Sequence, residues 1–224
     1  DLSNDDTMRN EAHIALKKVD PRNGTSLYQA FATLSQMEPM PDNVILITDG
    51  LPTQDVSAGS KIIGQPNYGT LVGGGSCGAD SPEPCDDHGH GTHVSGIIAA
   101  SGNNGRGIAG IAWGSRVMVV KVLDENGDGY YSGLASALTY AADNGADIAN
   151  LSLGGAASST LLQQAVDYAH ARGTLIVAAS GNTNTAIQYP AACNHALAIA
   201  ASTSQDTRAT YSCYGPEQDL SAPG

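Results

Sequence analysis

Arg116-Val117-Met118-Val119-Val120-Lys121-Val122-Leu123 is an apolar run of strand length, and the pattern that follows it decides the fold. Ser132 to Asn144 sets Leu134, Ala137, Leu138 and Ala141 at helical spacing, and Asp147 to Leu153 returns to a strand. Ser159 to Arg172 is helical again through Leu161, Leu162, Ala165, Val166 and Ala169, with Gly173 placed to end it as a C′ glycine. Thr174 to Ser180 and Ala196 to Ala201 read as two more strands, and upstream Val44-Ile45-Leu46-Ile47-Thr48 reads as another. Strands alternating with helices imply parallel pairing through right-handed crossovers, hence an α/β fold with a doubly wound, mostly parallel sheet and helices on both faces, in three layers. Such sheets bind ligands at the carboxyl ends of their strands. The segments after Leu123, Leu151 and Ala179 should therefore form the chemical rim.

The whole chain fits that frame. At 224 residues, with 41% hydrophobic, 14% charged and 27 dispersed glycines, it has the composition of a compact enzyme-type fold with a sizeable core. A net charge of −12 argues against nucleic-acid partners and anionic membrane surfaces, and fits a soluble, often secreted protein able to bind cations; a monomer is expected. The longest apolar stretches, such as Leu175 to Ala179, are strand-sized, so no membrane span is expected. The four cysteines allow three pairings: Cys77 and Cys85 flank a proline-containing loop, which leaves Cys193 for Cys213, with buried free thiols as the alternative.

Ahead of the first strand of the alternating series stands Asp87-His88-Gly89-His90-Gly91-Thr92-His93-Val94-Ser95-Gly96-Ile97-Ile98. It sets an imidazole at the start of an apolar helix behind a glycine-punctuated turn. Val94, Ile97 and Ile98 are expected to bury that helix on the sheet, and the dipole at its N-terminus favours the neutral, proton-accepting ring of His90. A zinc cluster of His88, His90 and His93 is the rival, but no glutamate has the His-Glu-x-x-His spacing.

His90 to Ile98 resembles the histidine motif of the subtilisin-like serine proteases, and the resemblance extends over roughly residues 60 to 224. It implies an endopeptidase acting on extended peptides, secreted, with His90 as general base and His93 packed structurally. The rim segments agree with it. Gly127-Asp128-Gly129, after the first strand, and Ser152-Leu153-Gly154, after the next, resemble the edges between which that family lays its substrate as an added strand. Without the resemblance, the first of these reads as a surface turn or a defective calcium loop. Val177-Ala178-Ala179-Ser180-Gly181-Asn182 gives Asn182 the role of oxyanion donor. Calcium is the cofactor the resemblance suggests, with backbone carbonyls and Asn103 of Ser101 to Gly107 as oxygen ligands, against a solvated Gly/Asn loop.

Two departures complicate the picture. Asp219-Leu220-Ser221-Ala222-Pro223-Gly224 looks like the approach to the family's nucleophile, but no Gly-Thr-Ser-Met-Ala run follows, and neither Ser212 nor Ser221 has that context. A sheet incomplete at the C-terminus and a catalytically inert polypeptide are expected. At the other end, the orienting aspartate of the family falls best on Asp49 after the strand Val44 to Thr48, though Gly50 follows it directly, with Asp55 a weaker substitute. Residues 1–55 also resemble the later part of a von Willebrand factor A domain, in which Thr25 and Asp49 would help hold a divalent cation. That makes a cation-dependent binding or adhesion module the alternative function, and sets a boundary near residue 56 between an N-terminal segment, 1–55, and a protease-like region, 56–224.

Overall fold

A computed structural model describes a strand at residues 43–48, by its backbone, together with residues 86–105 and 107–224. The strands are β1 (Asn43–Thr48), β2 (Arg116–Lys121), β3 (Ile148–Leu151), β4 (Leu175–Ala179), β5 (Ala196–Ser202) and β6 (Gln218–Pro223). Three helices are described among them: α1 (His90–Ala99), α2 (Tyr131–Asp143) and α3 (Thr160–Ala171). All strands pair in parallel, in the order β2-β1-β3-β4-β5-β6. The expected doubly wound α/β sheet is present.

Alternation along the strands divides the core into two layers of side chains. Met118, Val120, Ala149, Leu151, Ile176, Ala178 and Ala198 face α2 and α3, which contribute Leu134, Leu138, Leu162 and Val166. Val117, Val119, Ile148, Val177 and Leu197 point the other way and meet Ile98 and Ala99 of α1. Helices therefore cover both faces. Local chemistry sets the helix ends: the Ser159 hydroxyl accepts from Leu162 N at 3.3 Å and caps α3, and the N–H of Gly173 returns to His170 O at 3.0 Å as that helix stops.

The order β2-β1-β3 puts a topological switch at β1. The chain leaves it for β2 by way of α1, then crosses back to β3 by way of α2, on the opposite face. Connections that diverge from a central strand leave a crevice beyond its carboxyl end.

Three expectations need correction. On α1 the buried face is Gly91, Ser95, Ile98 and Ala99, while Ile97 is 42% exposed, because the helix turns the stripe one position away from it. His93, expected to pack, is exposed. Cys193 and Cys213 form no disulfide: both are buried free thiols, the first within the α2/α3 core and the second beside Thr183. Cys77 and Cys85 lie outside the described residues.

Candidate active site

His90 opens α1, and the turn before it is built by a carboxylate. Gly89, the N-cap, sits at φ 93 and has no side chain with which to cap the helix, so the first amides of α1 need another acceptor. Asp86 supplies it. Its Oδ1 accepts from Gly89 N at 2.7 Å and His88 N at 3.2 Å, and its Oδ2 accepts from Thr92 N at 2.7 Å and Thr92 Oγ1 at 2.5 Å. Asp86 is buried, and the anion lies at the positive end of the helix. A second buried tie joins this turn to the sheet: Lys121 Nζ, at the carboxyl end of β2, bonds Asp87 Oδ1 at 2.7 Å, with side-chain exposures of 6% and 3%. Lys121 is also the register partner of Thr48, the last residue of β1. The histidine turn is thus fixed at the switch point.

The segment after β2 folds on Asp124. Its Oδ1 accepts from Asn126 N and Asp128 N, each at 2.9 Å, its own N–H donates to Asp128 O at 2.8 Å, and Gly127 N donates back to Asp124 O at 3.0 Å. These bonds, the one from Asp128 foremost, hold the Asp124 carboxyl below its ordinary range. Leu123 and Gly129 close the loop as an antiparallel bridge, and a Cβ on Gly129 would stand 2.5 Å from Val122 O. Only glycine allows that approach.

On the rim a cavity of about 520 Å³ opens, lined by His88 and His90, by Gly127, Asp128 and Gly129, by Ser152, Leu153 and Gly154, and by Tyr130, Tyr131 and Leu134. The candidate base and both candidate substrate-binding segments therefore share one cleft. The rings of His88 and His90 meet edge to face, 6.3 Å between centroids, and His88 reaches over Gly127.

Asn182 is exposed on the same rim, past the end of β4, and is not on the cavity wall. Gln188 connects the two places. A Cβ on Gly154 would stand 3.0 Å from Gln188 Oε1, and one on Gly181, beside Asn182, only 2.6 Å from it, so this side chain packs on both glycines. The Asn182 segment is held from the other side by residues 208 to 214: Cys213 N donates to Gly181 O at 2.9 Å and Asn184 N to Tyr211 O at 2.8 Å, while Arg208 Nη1 reaches Asn184 Oδ1 at 2.9 Å and Ser212 O at 2.5 Å. Cys213 Sγ lies 3.2 Å from Thr183 Oγ1. Burial pushes the Cys213 thiol up, but hydrogen bonds from Thr183 and Thr185 outweigh it and hold the group at about 7.

Ser212 and Ser221 do not face the cleft. Ser212 is fully buried and bonds Ala201 N and Cys213 O, and Ser221 lies within β6. Asn103 is exposed, with φ 61, on a loop that carries no carboxylate between Ser101 and Gly107. Among the described residues no three His, Cys, Asp or Glu side chains gather as metal ligands. Thr25, Asp49 and Asp55 lie outside the described residues, although Asp49 is next in sequence after Thr48.

Sequence reasoning passed over Asp86, the Lys121–Asp87 pair and Gln188. Asp86 left one trace, an acid six residues ahead of Thr92 with glycine at the cap between them. Gln188 left none, since its contacts with Gly154 and Gly181 exist only in the folded chain.

A parallel sheet whose switch point carries a helix-initiating histidine over a glycine-edged cleft places the chain in the class of doubly wound α/β folds. Residues 61–224 match the subtilase family, peptidase S8, and the chain belongs to that family of serine endopeptidases. Thermitase of Thermoactinomyces vulgaris is 45% identical over 157 residues, 70% of this chain and 56% of thermitase. Subtilisin Savinase of Lederbergia lenta is 45% identical over 155 residues, 69% of this chain and 57% of that protein. A cold adapted subtilisin-like serine proteinase of known structure superposes with a TM-score of 0.68 at 30% identity, covering 81% of this chain and 62% of the other. A protease structure from Pseudoalteromonas arctica gives 0.72 with the same identity and coverage. The chain thus spans a little over half the length of thermitase and Savinase.

Proposed function

We propose that this chain is the larger part of an endopeptidase that hydrolyses extended peptides by a serine mechanism, with His90 as general base, Asn182 as oxyanion donor and Asp49 as orienter of the His90 ring. The observation that carries the reading is the shared cleft of His90 with Gly127–Gly129 and Ser152–Gly154. A peptide laid between those two edges gains backbone hydrogen bonds on both sides, and its carbonyl passes the imidazole. Neutral His90 takes the proton of an attacking hydroxyl and returns it to the departing amine, while the Asn182 amide donates to the oxygen on which charge develops. Asp49 suits the third role because it follows directly on β1, whose last residue pairs with Lys121, itself bonded to Asp87 three residues before His90.

The attacking serine is outside this set of residues. Ser212 is enclosed and hydrogen-bonded, and Ser221 belongs to a strand, so neither of these two serines offers its hydroxyl to His90. Calcium would be held at Asn103 by carbonyl and amide oxygens only; its part would be structural, and no step depends on it. Secretion and a monomeric state fit this reading and belong to it.

The polypeptide of residues 1–224 is expected to leave a chromogenic peptide uncleaved and a serine-directed fluorophosphonate unreacted. Joined to a segment carrying Gly-Thr-Ser-Met-Ala, it should gain both reactions, and His90→Ala should remove both. Cleavage and labelling by residues 1–224 themselves would overturn the mechanism.

A further inference from the structure

Among the charged groups lining the cleft, one carboxylate is unused. Asp128 is exposed on the cavity wall, and although its backbone closes the loop through Asp124, its carboxylate makes no hydrogen bond or ion pair among the described residues. Beside it Tyr130, 63% exposed, also lines the cavity, and the wall behind is made of Tyr131, Leu134 and Leu153. An apolar chamber with a carboxylate and an aromatic face at its mouth suits a side chain that is itself divided, with a methylene stem and a cationic head. Lysine and arginine are such side chains. The chain's net charge of −12 adds a field that draws cationic peptides towards the cleft.

We infer that Asp128 and Tyr130 make this cleft selective for peptides that place a lysine or arginine side chain in the cavity, the stem packed on Leu134 and Leu153 and the charged head on the Asp128 carboxylate and the Tyr130 ring. This inference rests on the cleft being the peptide site. A norleucine side chain offers the same stem without the charge, so the difference between lysine and norleucine isolates what Asp128 and Tyr130 contribute. Because the carboxylate stands in solvent, the preference is modest and falls with salt; about fivefold is expected at low ionic strength.

The test is binding, which needs no catalytic turnover. Blocked alanine hexapeptides carrying lysine, norleucine or glutamate at one position at a time would be titrated into the 224-residue chain near pH 8, where imidazoles ordinarily carry no charge. The amide NMR signals of Gly127–Gly129 and Ser152–Gly155 report occupancy of the cleft. At one position lysine should bind about fivefold more tightly than norleucine, and glutamate more weakly than both. Asp128→Asn should erase the preference for lysine over norleucine, and Asp128→Lys should turn the preference towards glutamate. Lysine equal to norleucine at every position, or a lysine preference that survives Asp128→Asn, overturns the inference and leaves the peptide-cleft reading standing. Shifts confined to other parts of the molecule with every peptide would overturn the cleft reading itself.

Discussion

Asp86→Ala should be among the most damaging single changes in the described part of this chain, although Asp86 is not proposed to touch substrate. The substitution removes the acceptor of four hydrogen bonds, three from backbone amides and one from the Thr92 hydroxyl. The two halves of the carboxylate do different work. Oδ2 faces α1, where Gly89 offers no cap, so its loss is a cap loss of about 1–2 kcal/mol. Oδ1 faces the amides of His88 and Gly89 in a turn that water reaches once the carboxylate is gone, which limits its share to roughly 1–2 kcal/mol. The total is about 3 kcal/mol, a large part of an ordinary domain's stability of about 5–15 kcal/mol. Asp86→Asn keeps one acceptor oxygen but turns an NH₂ towards one pair of donors, and should cost about half as much. Urea unfolding followed by circular dichroism measures both, and with m near 2 kcal/mol/M the alanine variant should shift Cm by roughly 1.5 M. In NMR spectra the His88 and His90 ring signals should move, while those of the stacked pair His170 and His195, 4.3 Å apart at the far end of α3, should not. An Asp86→Ala variant within about 0.5 kcal/mol of the parent would refute the capping argument.

Two further expectations follow from buried ionisable groups. Lys121→Met strands the Asp87 carboxylate at 3% exposure and should cost about 3–5 kcal/mol in the same unfolding assay, whereas Lys121→Met combined with Asp87→Leu should recover most of the loss; a double variant as unstable as the single one would count against the pair. The thiols should separate by pH: Cys213 is held at about 7, while burial first, and the Asp167 charge second, push Cys193 up to about 11, so ultraviolet thiolate absorbance in a pH titration should gain its first step from Cys213, a step that Cys213→Ala removes and Cys193→Ala keeps, and the reverse pattern would refute the assignment. By linkage, the Cys213 contribution to stability is present above the ordinary thiol value of 9.0 and lost as pH falls through about 7, and that of Cys193 is present below 9.0 and lost as pH rises through about 11.

The sequence was most informative where a side-chain period has one physical reading. The runs now seen as β2, α2, β3, α3, β4 and β5 were legible to within a residue or two at most ends, because burial on one or both faces writes its period into the chain. Ser159 and Gly173 marked the ends of α3 by their own chemistry. Face assignment was less secure on α1, where Val94, Ile97 and Ile98 are near neighbours in sequence but a small residue, Ser95, takes the buried position and Ile97 turns outward. What stayed hidden was long-range polar pairing. Lys121 in an apolar run signals a partner without naming it, and Asp87 is 34 residues away. The cysteines illustrate the same limit: an even count suggested pairing, while the fold sends Cys193 into the α2/α3 core and Cys213 against Thr183.

Strand order could not be read from period either, yet it explains why the cleft lies where it does. Had β1 been an edge strand, the connections through α1 and α2 would lie on one side and no crevice would open at its end. With β1 between β2 and β3, α1 leaves on one face and α2 returns on the other, and the loops ending β2 and β3 stand on either side of the gap. Those two loops are the ones that carry Gly127–Gly129 and Ser152–Gly154, and the helix nearest the gap is the one that begins at His90. Asp49 follows directly on the last residue of β1, whereas Asp55 is six residues further on in the sequence. The topology thus brings a helix N-terminus, at His90, and two strand ends, before Gly127–Gly129 and at Ser152–Gly154, to one gap.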